Sequence, residues 1–393
     1  MKILFITPFF HPHKGGAEKY AEELFAHLIE KHPDISVDIL CYNTNQAPET
    51  EIYKNLRIFR VPCWDIVKGQ FYLPNPLDLL SILDKLKENK YDLIGTQTRF
   101  FDAAWWTWIY ARLIKAKSFF IEHGTGFVSH QDPLVRFAAQ CIDLTLARLS
   151  LKMYDRVVVI SKKTQEFTAT QLGIPYSKLI YGGVDTTLFK RLENEQRFEF
   201  FKEKTGIDLP ENIITIGYLG RLIEAKGIFV LYEAFKQLTI NHQQLPITLL
   251  FVGSGPKESE LEEKIEKDNL NDKVKLLGEL PYEETIKFFG SIDIFVNPSF
   301  NEGLPRTLLE ATAVGNIVIA TNVGSTYEIV QDNETGFLIE PNDQEALTNV
   351  LAKVVQNMDG YKEMRLKAQE HTRQTFDWSH IVEQFYNEIV SIK

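Results

Sequence analysis

The sequence predicts an α/β protein of two parallel-sheet domains, and three observations carry that prediction. Short β-branched or aromatic runs alternate with helical periodicity along the whole chain, the pattern of parallel sheets covered on both faces. At 393 residues the chain exceeds one ordinary core, which favours two domains. The segment Leu192–Asn212 is charged, helix-prone and poor in strand signals, as a link between two such units would be.

The elements follow in order. In the first half the runs predict strands at 2–7, 35–41, 56–61, 91–96, 117–122, 155–160 and 178–181. In the second half they predict strands at 213–219, 247–252, 273–277, 293–297, 316–320 and 336–339. A helix is expected over 16–31, where Ala17, Tyr20, Ala21, Leu24, Phe25 and Leu28 recur at helical spacing. At the end, Ser379 can cap an amphipathic helix over His380–Ile392 with Ile381, Phe385 and Ile389 on one stripe. The expected division is 1–190, 191–375 and a terminal helix over 376–393.

Composition narrows the function classes. The chain is 44% hydrophobic and 24% charged, as a globular protein is. Its net charge is −10, and the first 190 residues carry 23 Lys and Arg against 20 Asp and Glu. The acidic excess argues against nucleic-acid binding. The relative basicity of the first half leaves room for an anionic acceptor or a membrane surface, beside ordinary surface variation. The opening run Met1–Thr7 breaks at Pro8 and reads as a buried strand, too short for a signal peptide. No apolar run approaches the ~18 residues a membrane span needs. Cys41, Cys63 and Cys141 are spread too widely for a metal cluster, which points to a reducing cytosol.

Ligands of open parallel sheets gather beyond the carboxyl ends of the strands, and five post-strand loops carry unusual residues. Pro8–Lys14 leads to Gly15 and Gly16 at a helix start, where backbone amides can approach an anion; a plain loop-to-helix turn reads equally well. Glu122-His123-Gly124 places a histidine where it can reach into a cleft, or be satisfied within its loop. Gly220-Arg221 through Lys226-Gly227 brackets two cations with glycines and suits a diphosphate better than it suits solvated surface charge. Gly253-Ser254-Gly255 permits close approach, as many tight turns do. Finally, Pro298–Ala311 holds Glu302, Gly303, Leu304 and Glu310, with Pro305 expected in the first helical turn. The amides of Gly303 and Leu304 would then sit at a positive helix end. Glu310 lies among Leu308, Leu309, Ala311, Ala313 and Val314, so plain solvation does not explain it.

Together these loops, Gly182-Gly183-Val184-Asp185 and the terminal Phe376–Trp378 segment resemble the retaining GT-B-fold glycosyltransferases of family 4 along nearly the whole chain. The resemblance implies two Rossmann-like domains facing across a cleft, with the C-terminal helix crossing back to the first domain. It implies that Arg221 and Lys226 bind the donor diphosphate, helped by amides near Gly16 and at Gly303–Leu304. Glu302 would hold donor sugar hydroxyls and Glu310 the ribose, with His123 beside the reacting anomeric carbon. It implies a nucleotide-sugar donor as co-substrate, no cofactor and no metal, and the sequence contains no Asp-x-Asp triplet. Three positions depart from the family pattern: Gly182 replaces its asparagine, Ile317 its proline and Ser325 its second glycine. None removes a charge.

The first half would then carry a glycan or lipid-linked acceptor. Asp102–Lys117 holds Trp105, Trp106, Trp108 and Tyr110 before Arg112, Lys115 and Lys117. Its plainer reading is a core crossover helix; a peripheral contact with the inner membrane face stands beside it. A nucleotide-sugar epimerase or a non-catalytic nucleotide-sugar binder are the competing functions.

Overall fold

The computed structural model describes residues 1–13, 15–67, 71–127, 133–206, 210, 212–242 and 244–393. Lys14, and parts of the Leu192–Asn212 link, lie outside the described residues. The chain forms two compact units, Met1–Gly183 with Trp378–Lys393, and Val184–Asp377.

In the first unit the strands are β1 (Lys2–Thr7), β2 (Ser36–Tyr42), β3 (Thr50–Tyr53), β4 (Leu56–Val61), β5 (Cys63–Val67), β6 (Phe71–Pro74), β7 (Leu93–Gln97), β8 (Lys117–Glu122), β9 (Arg156–Val159) and β10 (Lys178–Leu179). Its helices are α1 (Gly16–Lys31), α2 (Pro76–Leu86), α3 (Ala103–Ile114), α4 (Pro133–Ile142), α5 (Arg148–Leu151) and α6 (Lys162–Thr170), with a π-helical turn over Asp143–Ala147 between α4 and α5. The main sheet runs β10-β9-β8-β7-β1-β2-β4-β3. All pairs are parallel except β3 with β4. Strand order therefore reverses between β1 and β7, and the loops after those two strands flank the crevice where such sheets take ligands.

One face of this sheet packs Leu4, Ile6 and Leu40 against Leu79, Leu83 and Leu86 of α2 and Tyr110 of α3. The tryptophans of α3 turn inward: Trp106 lies against that core, and Trp105 and Trp108 against a second around Phe120 and Val157. Asp102 fixes the start of the helix by accepting from Trp106 Nε1 at 3.0 Å and Tyr42 OH at 2.8 Å. Hairpin β5–β6 forms a separate two-stranded sheet. The pairing Phe9–Tyr72 at 5.7 Å between centroids holds it beside the β1–α1 loop.

The second unit contains strands β11 (Ile214–Leu219), β12 (Ile247–Val252), β13 (Val274–Leu276), β14 (Ile294–Asn297), β15 (Ile317–Thr321) and β16 (Phe337–Ile339). Its helices are α7 (Asn194–Thr205), α8 (Ile228–Asn241), α9 (Glu258–Lys267), α10 (Tyr282–Ser291), α11 (Arg306–Val314), α12 (Thr326–Ile329), α13 (Gln344–Gln356) and α14 (Lys362–Phe376). The sheet order β13-β12-β11-β14-β15-β16 is wholly parallel. Strands such as Ile247–Val252 are buried throughout, as expected of a sheet covered on both faces. Helices α8, α9 and α13 share one core; α10 packs on α7 and α11, and α11 on α14. The reversal of strand order falls between β11 and β14.

The last helix, α15 (Trp378–Val390), groups with the first unit. Phe385 meets Phe25 of α1 and Phe119 of β8 edge-on at 6.2 and 5.6 Å. Trp378 Nε1 donates to Glu23 at 3.0 Å, so a carboxylate buried in α1 gains a partner. The helix starts at Trp378, ahead of the expected Ser379 cap. The change of unit precedes residue 190. Val184 N donates to Phe376 O at 2.8 Å, Thr186 bonds to Asp377, and Phe189 packs on Phe289 at 5.9 Å. These contacts tie Val184–Lys190 to the second unit, and keep Phe376 and Asp377 there.

Candidate active site

In the second unit the loops after β11 and β14 meet at the strand-order reversal. Lys226 ends the first loop and Glu302 lies in the second, and Lys226 Nζ reaches Glu302 Oε1 at 2.7 Å. Asn297, the last residue of β14, approaches the same carboxylate oxygen with Nδ2 at 3.5 Å. Phe300 N donates to Ala225 O at 2.9 Å, so the backbones hold these loops together as well. Arg221 shares the loop of Lys226; its side chain is exposed and forms no ion pair among the described residues. Its carbonyl is fixed by Tyr218 OH at 2.9 Å.

The backbone sets the remaining geometry. Gly253 has φ +126, and a Cβ there would lie 2.0 Å from Gly220 O. Gly324 has φ +56, and a Cβ there would lie 1.9 Å from Glu302 O. Both positions therefore require glycine on conformation and on space. Ser325 N donates to Gly303 O at 3.0 Å, anchoring the loop before α11. Pro305 is the cap of that helix, with φ −72 and ψ 107, rather than part of its first turn. Its extended ψ places the first helical residue at Arg306. The amides of Gly303 and Leu304 make no hydrogen bond among the described residues, and stand where the helix end favours an anion. Glu310 is 5% exposed, one turn into α11, and Arg306 Nη2 lies 3.4 Å from its Oε1.

In the first unit, Gly15 caps α1 and Gly16 opens it. A Cβ at Gly15 would meet Glu18 Oε2 at 2.1 Å, whereas one at Gly16 would face open space. His123 follows β8. Its Nε2 lies 3.0 Å from Gln97 Oε1, while Gln97 Nε2 donates to Thr7 Oγ1 at 3.3 Å. The glutamine oxygen therefore accepts from His123 Nε2–H, which leaves a lone pair on Nδ1 of the neutral ring. Burial pushes this imidazole down to about 4, against the opposing pull of Glu18.

That shift has a sign. The folded chain resists protonation that the unfolded chain accepts near pH 6.5, so stability falls as pH drops from about 6.5 to about 4. At about 1.4 kcal/mol per pH unit, the loss amounts to about 3 kcal/mol. The difference in urea-unfolding free energy between pH 7 and pH 4.5 should shrink in His123→Gln. An unchanged difference would remove the assignment.

Sequence reasoning missed the group beneath His123. Arg99 is buried, with Nη1 2.7 Å from Glu122 Oε1 and Nε 3.0 Å from Asp143 Oδ1. Gly124 N donates to the same Glu122 oxygen at 2.7 Å, so this carboxylate shapes the turn that carries His123. Burial raises both carboxyls above their usual range, and Arg99 pulls both back. Asn297 and Arg306 were missed too; the only signal was their place beside Glu302 and Glu310.

Residues 14–188 match the family described as Glycosyltransferase Family 4, and residues 198–375 match Glycosyl transferases group 1. Together the matches take in most of the chain, which belongs to the family 4 glycosyltransferases of the GT-B fold, built from two Rossmann-like units. An uncharacterized glycosyltransferase of Methanocaldococcus jannaschii is 26% identical over 98% of this chain and 97% of its own. The UDP-Gal:alpha-D-GlcNAc-diphosphoundecaprenol alpha-1,3-galactosyltransferase of Escherichia coli is 26% identical over 87% of this chain and 85% of its own. Among solved structures, Anabaena HepE in complex with UDP aligns over the full length of both chains with a TM-score of 0.77 at 21% identity. Among the described residues no helix is long and apolar enough to cross a membrane.

Proposed function

We propose that this glycosyltransferase moves a sugar from a nucleoside-diphosphate sugar to an acceptor hydroxyl, with retention of anomeric configuration and without a bound metal. The observation that carries the reading is the Lys226–Glu302 pair at the strand-order reversal of the second sheet. Incoming diphosphate oxygens compete for the ammonium and draw it from the carboxylate. Glu302 is then left to accept from hydroxyls of the donor sugar. Arg221 and the Gly303 and Leu304 amides add to the charge that stabilises the departing diphosphate. Glu310 takes the ribose. Gly253 lets the nucleotide approach the backbone.

Fixed cations and helix-end amides need no reorganisation as negative charge develops on the leaving group. They supply what a metal would otherwise supply. The incoming hydroxyl passes its proton to the departing phosphate oxygen on the same face of the sugar, so no protein base is required. His123 Nδ1 accepts a hydrogen bond from a hydroxyl in the first unit, where Gly15 and Gly16 open α1. The UDP bound to Anabaena HepE supports uridine as the base. The diphosphoundecaprenol acceptor named for the E. coli relative supports a lipid-linked acceptor in glycan synthesis.

An anomerically pure UDP-sugar and a polyprenyl-diphosphate sugar test the reading, with the product followed by NMR and mass spectrometry. The expected product carries one added sugar of unchanged anomeric configuration, at the same rate with and without EDTA. An inverted product would end the retention proposal. A loss with EDTA that Mg²⁺ or Mn²⁺ restores would end metal independence. Interconversion of the free donor with no sugar added would favour an epimerase.

A further inference from the structure

Three arginines of the second unit gather on one carboxylate, at the end of the sheet opposite Lys226 and Glu302. Asp293 immediately precedes β14. Arg191 Nη2 donates to its Oδ1, and Arg197 Nη2 to its Oδ2 at 2.5 Å. Thr215, near the start of β11, donates to that second oxygen from N and from Oγ1, both at 2.9 Å. Arg365 of α14 joins through the main chain, with Nε donating to Gly315 O at 2.5 Å. The next residue, Asn316, donates from Nδ2 to Ile292 O at 2.6 Å. The same carbonyl accepts from Arg191 Nη1 at 3.1 Å.

The charges do not balance. Among the described residues, Asp293 is the only carboxylate paired with any of the three. Helices α10 and α11 end beside these carbonyls, at Ser291 and Val314, and each contributes about half a negative charge. Three guanidiniums therefore keep an excess of about one positive charge. Burial, then Arg191, with a further push from Arg197, hold Arg365 below the usual arginine range, against the pull of Asp293. Donors are left over as well. The two terminal nitrogens of half-buried Arg365 make no hydrogen bond among the described residues. Arg197 is 7% exposed, and its Nε is buried without a partner among them. An unpaired buried donor is costly, and more so on a charged group. A phosphate answers both needs, because it carries negative charge and its several oxygens match guanidinium forks.

We propose that Arg191, Arg197 and Arg365 form a second anion site, which takes a phosphate group at the amino ends of β11, β14 and β15. The donor site lies at the carboxyl ends of the same sheet. The six residues of β11 set the two about 20 Å apart, so one ligand does not fill both. A phosphate held by these arginines ties α14 to the segment that leads into α7.

The test is thermal unfolding of the full chain with inorganic phosphate and, separately, with glucose 6-phosphate, each against chloride at matched ionic strength. Both phosphates should raise the melting temperature saturably, by about 3–6 °C at ten times the dissociation constant, and chloride should not. The one that acts at the lower concentration names the source, free phosphate or a phosphorylated sugar. Arg365→Gln should weaken the phosphate effect by at least about tenfold. Arg191→Gln, in which Arg197 still covers Asp293, should do the same independently. Lys226→Ala should keep the full shift, because it alters only the donor end of the sheet. Absence of a saturable shift in the wild type would overturn the proposal. So would an equal shift in both arginine variants, or a shift lost in Lys226→Ala. No donor is present, so failure here leaves the sugar-transfer reading untouched.

Discussion

Lys226→Ala should lower kcat/KM for a nucleoside-diphosphate sugar by about 10²–10³, the cost of removing one preorganised charge from a developing anion. Its melting temperature should move by no more than about 2–4 °C, because a partly exposed pair contributes at most about 1 kcal/mol. In the folded chain Lys226 Nζ sits 2.7 Å from Glu302 Oε1, and Asn297 still approaches that carboxylate when the lysine is gone. The alanine variant therefore separates chemistry from folding. Lys226→Arg keeps the charge but replaces a mobile point with a planar fork, and should recover part of the rate. Full activity in Lys226→Ala would show that the leaving diphosphate draws its charge from elsewhere.

The largest stability effect belongs to the first unit. Arg99→Met should destabilise the fold by about 3–5 kcal/mol, because it strands two buried carboxyls without a counter-charge. That is a large share of the about 5–15 kcal/mol that holds a typical domain. Glu122 Oε2 already has no hydrogen-bond partner among the described residues, and the guanidinium also lies over the rings of Phe100 and Phe167, at 4.4 and 4.9 Å. The loss should depend on pH in a set direction. Buried carboxyls with raised folded values hold protons that the unfolded chain has released, so stability declines as pH rises above the ordinary carboxylate range. Urea titrations of Arg99→Met should show a smaller deficit at pH 5 than at pH 8. Adding Glu122→Gln and Asp143→Asn should return part of it. A loss below about 1 kcal/mol, independent of pH, would mean that water or a rearranged neighbour replaces the arginine.

What the sequence reveals follows from what periodicity can encode. Strands such as Lys2–Thr7, Ile247–Val252 and Ile317–Thr321 carry dense apolar runs, and α1 spans the same Gly16–Lys31 that its repeat predicts. The edge strand Thr50–Tyr53 and the paired strands Cys63–Val67 and Phe71–Pro74 are not predicted by the sequence, because short, largely exposed pairs need no apolar run. At the second sheet, the post-strand loops pointed to Arg221, Lys226, Glu302 and Glu310 through their glycines and their place. Which of these touch was not legible. Lys226 and Glu302 become neighbours only because β14 inserts beside β11. Nor was Arg99 visible as the partner of Glu122 and Asp143. A charge neutralised in the interior looks, along the chain, like any charge at the end of a strand or within a helix.

The contacts at Gly253 and Gly324 have a consequence for redesign. Where one main chain already rests against the carbonyl of another, the rim of the second sheet behaves as a rigid mould cast in peptide units. A change of donor sugar has to be sought in side chains carried on that mould, at an exposed position such as Asn301. A library that varies the two glycines would mostly return misfolded chains, whatever sugar it was screened against.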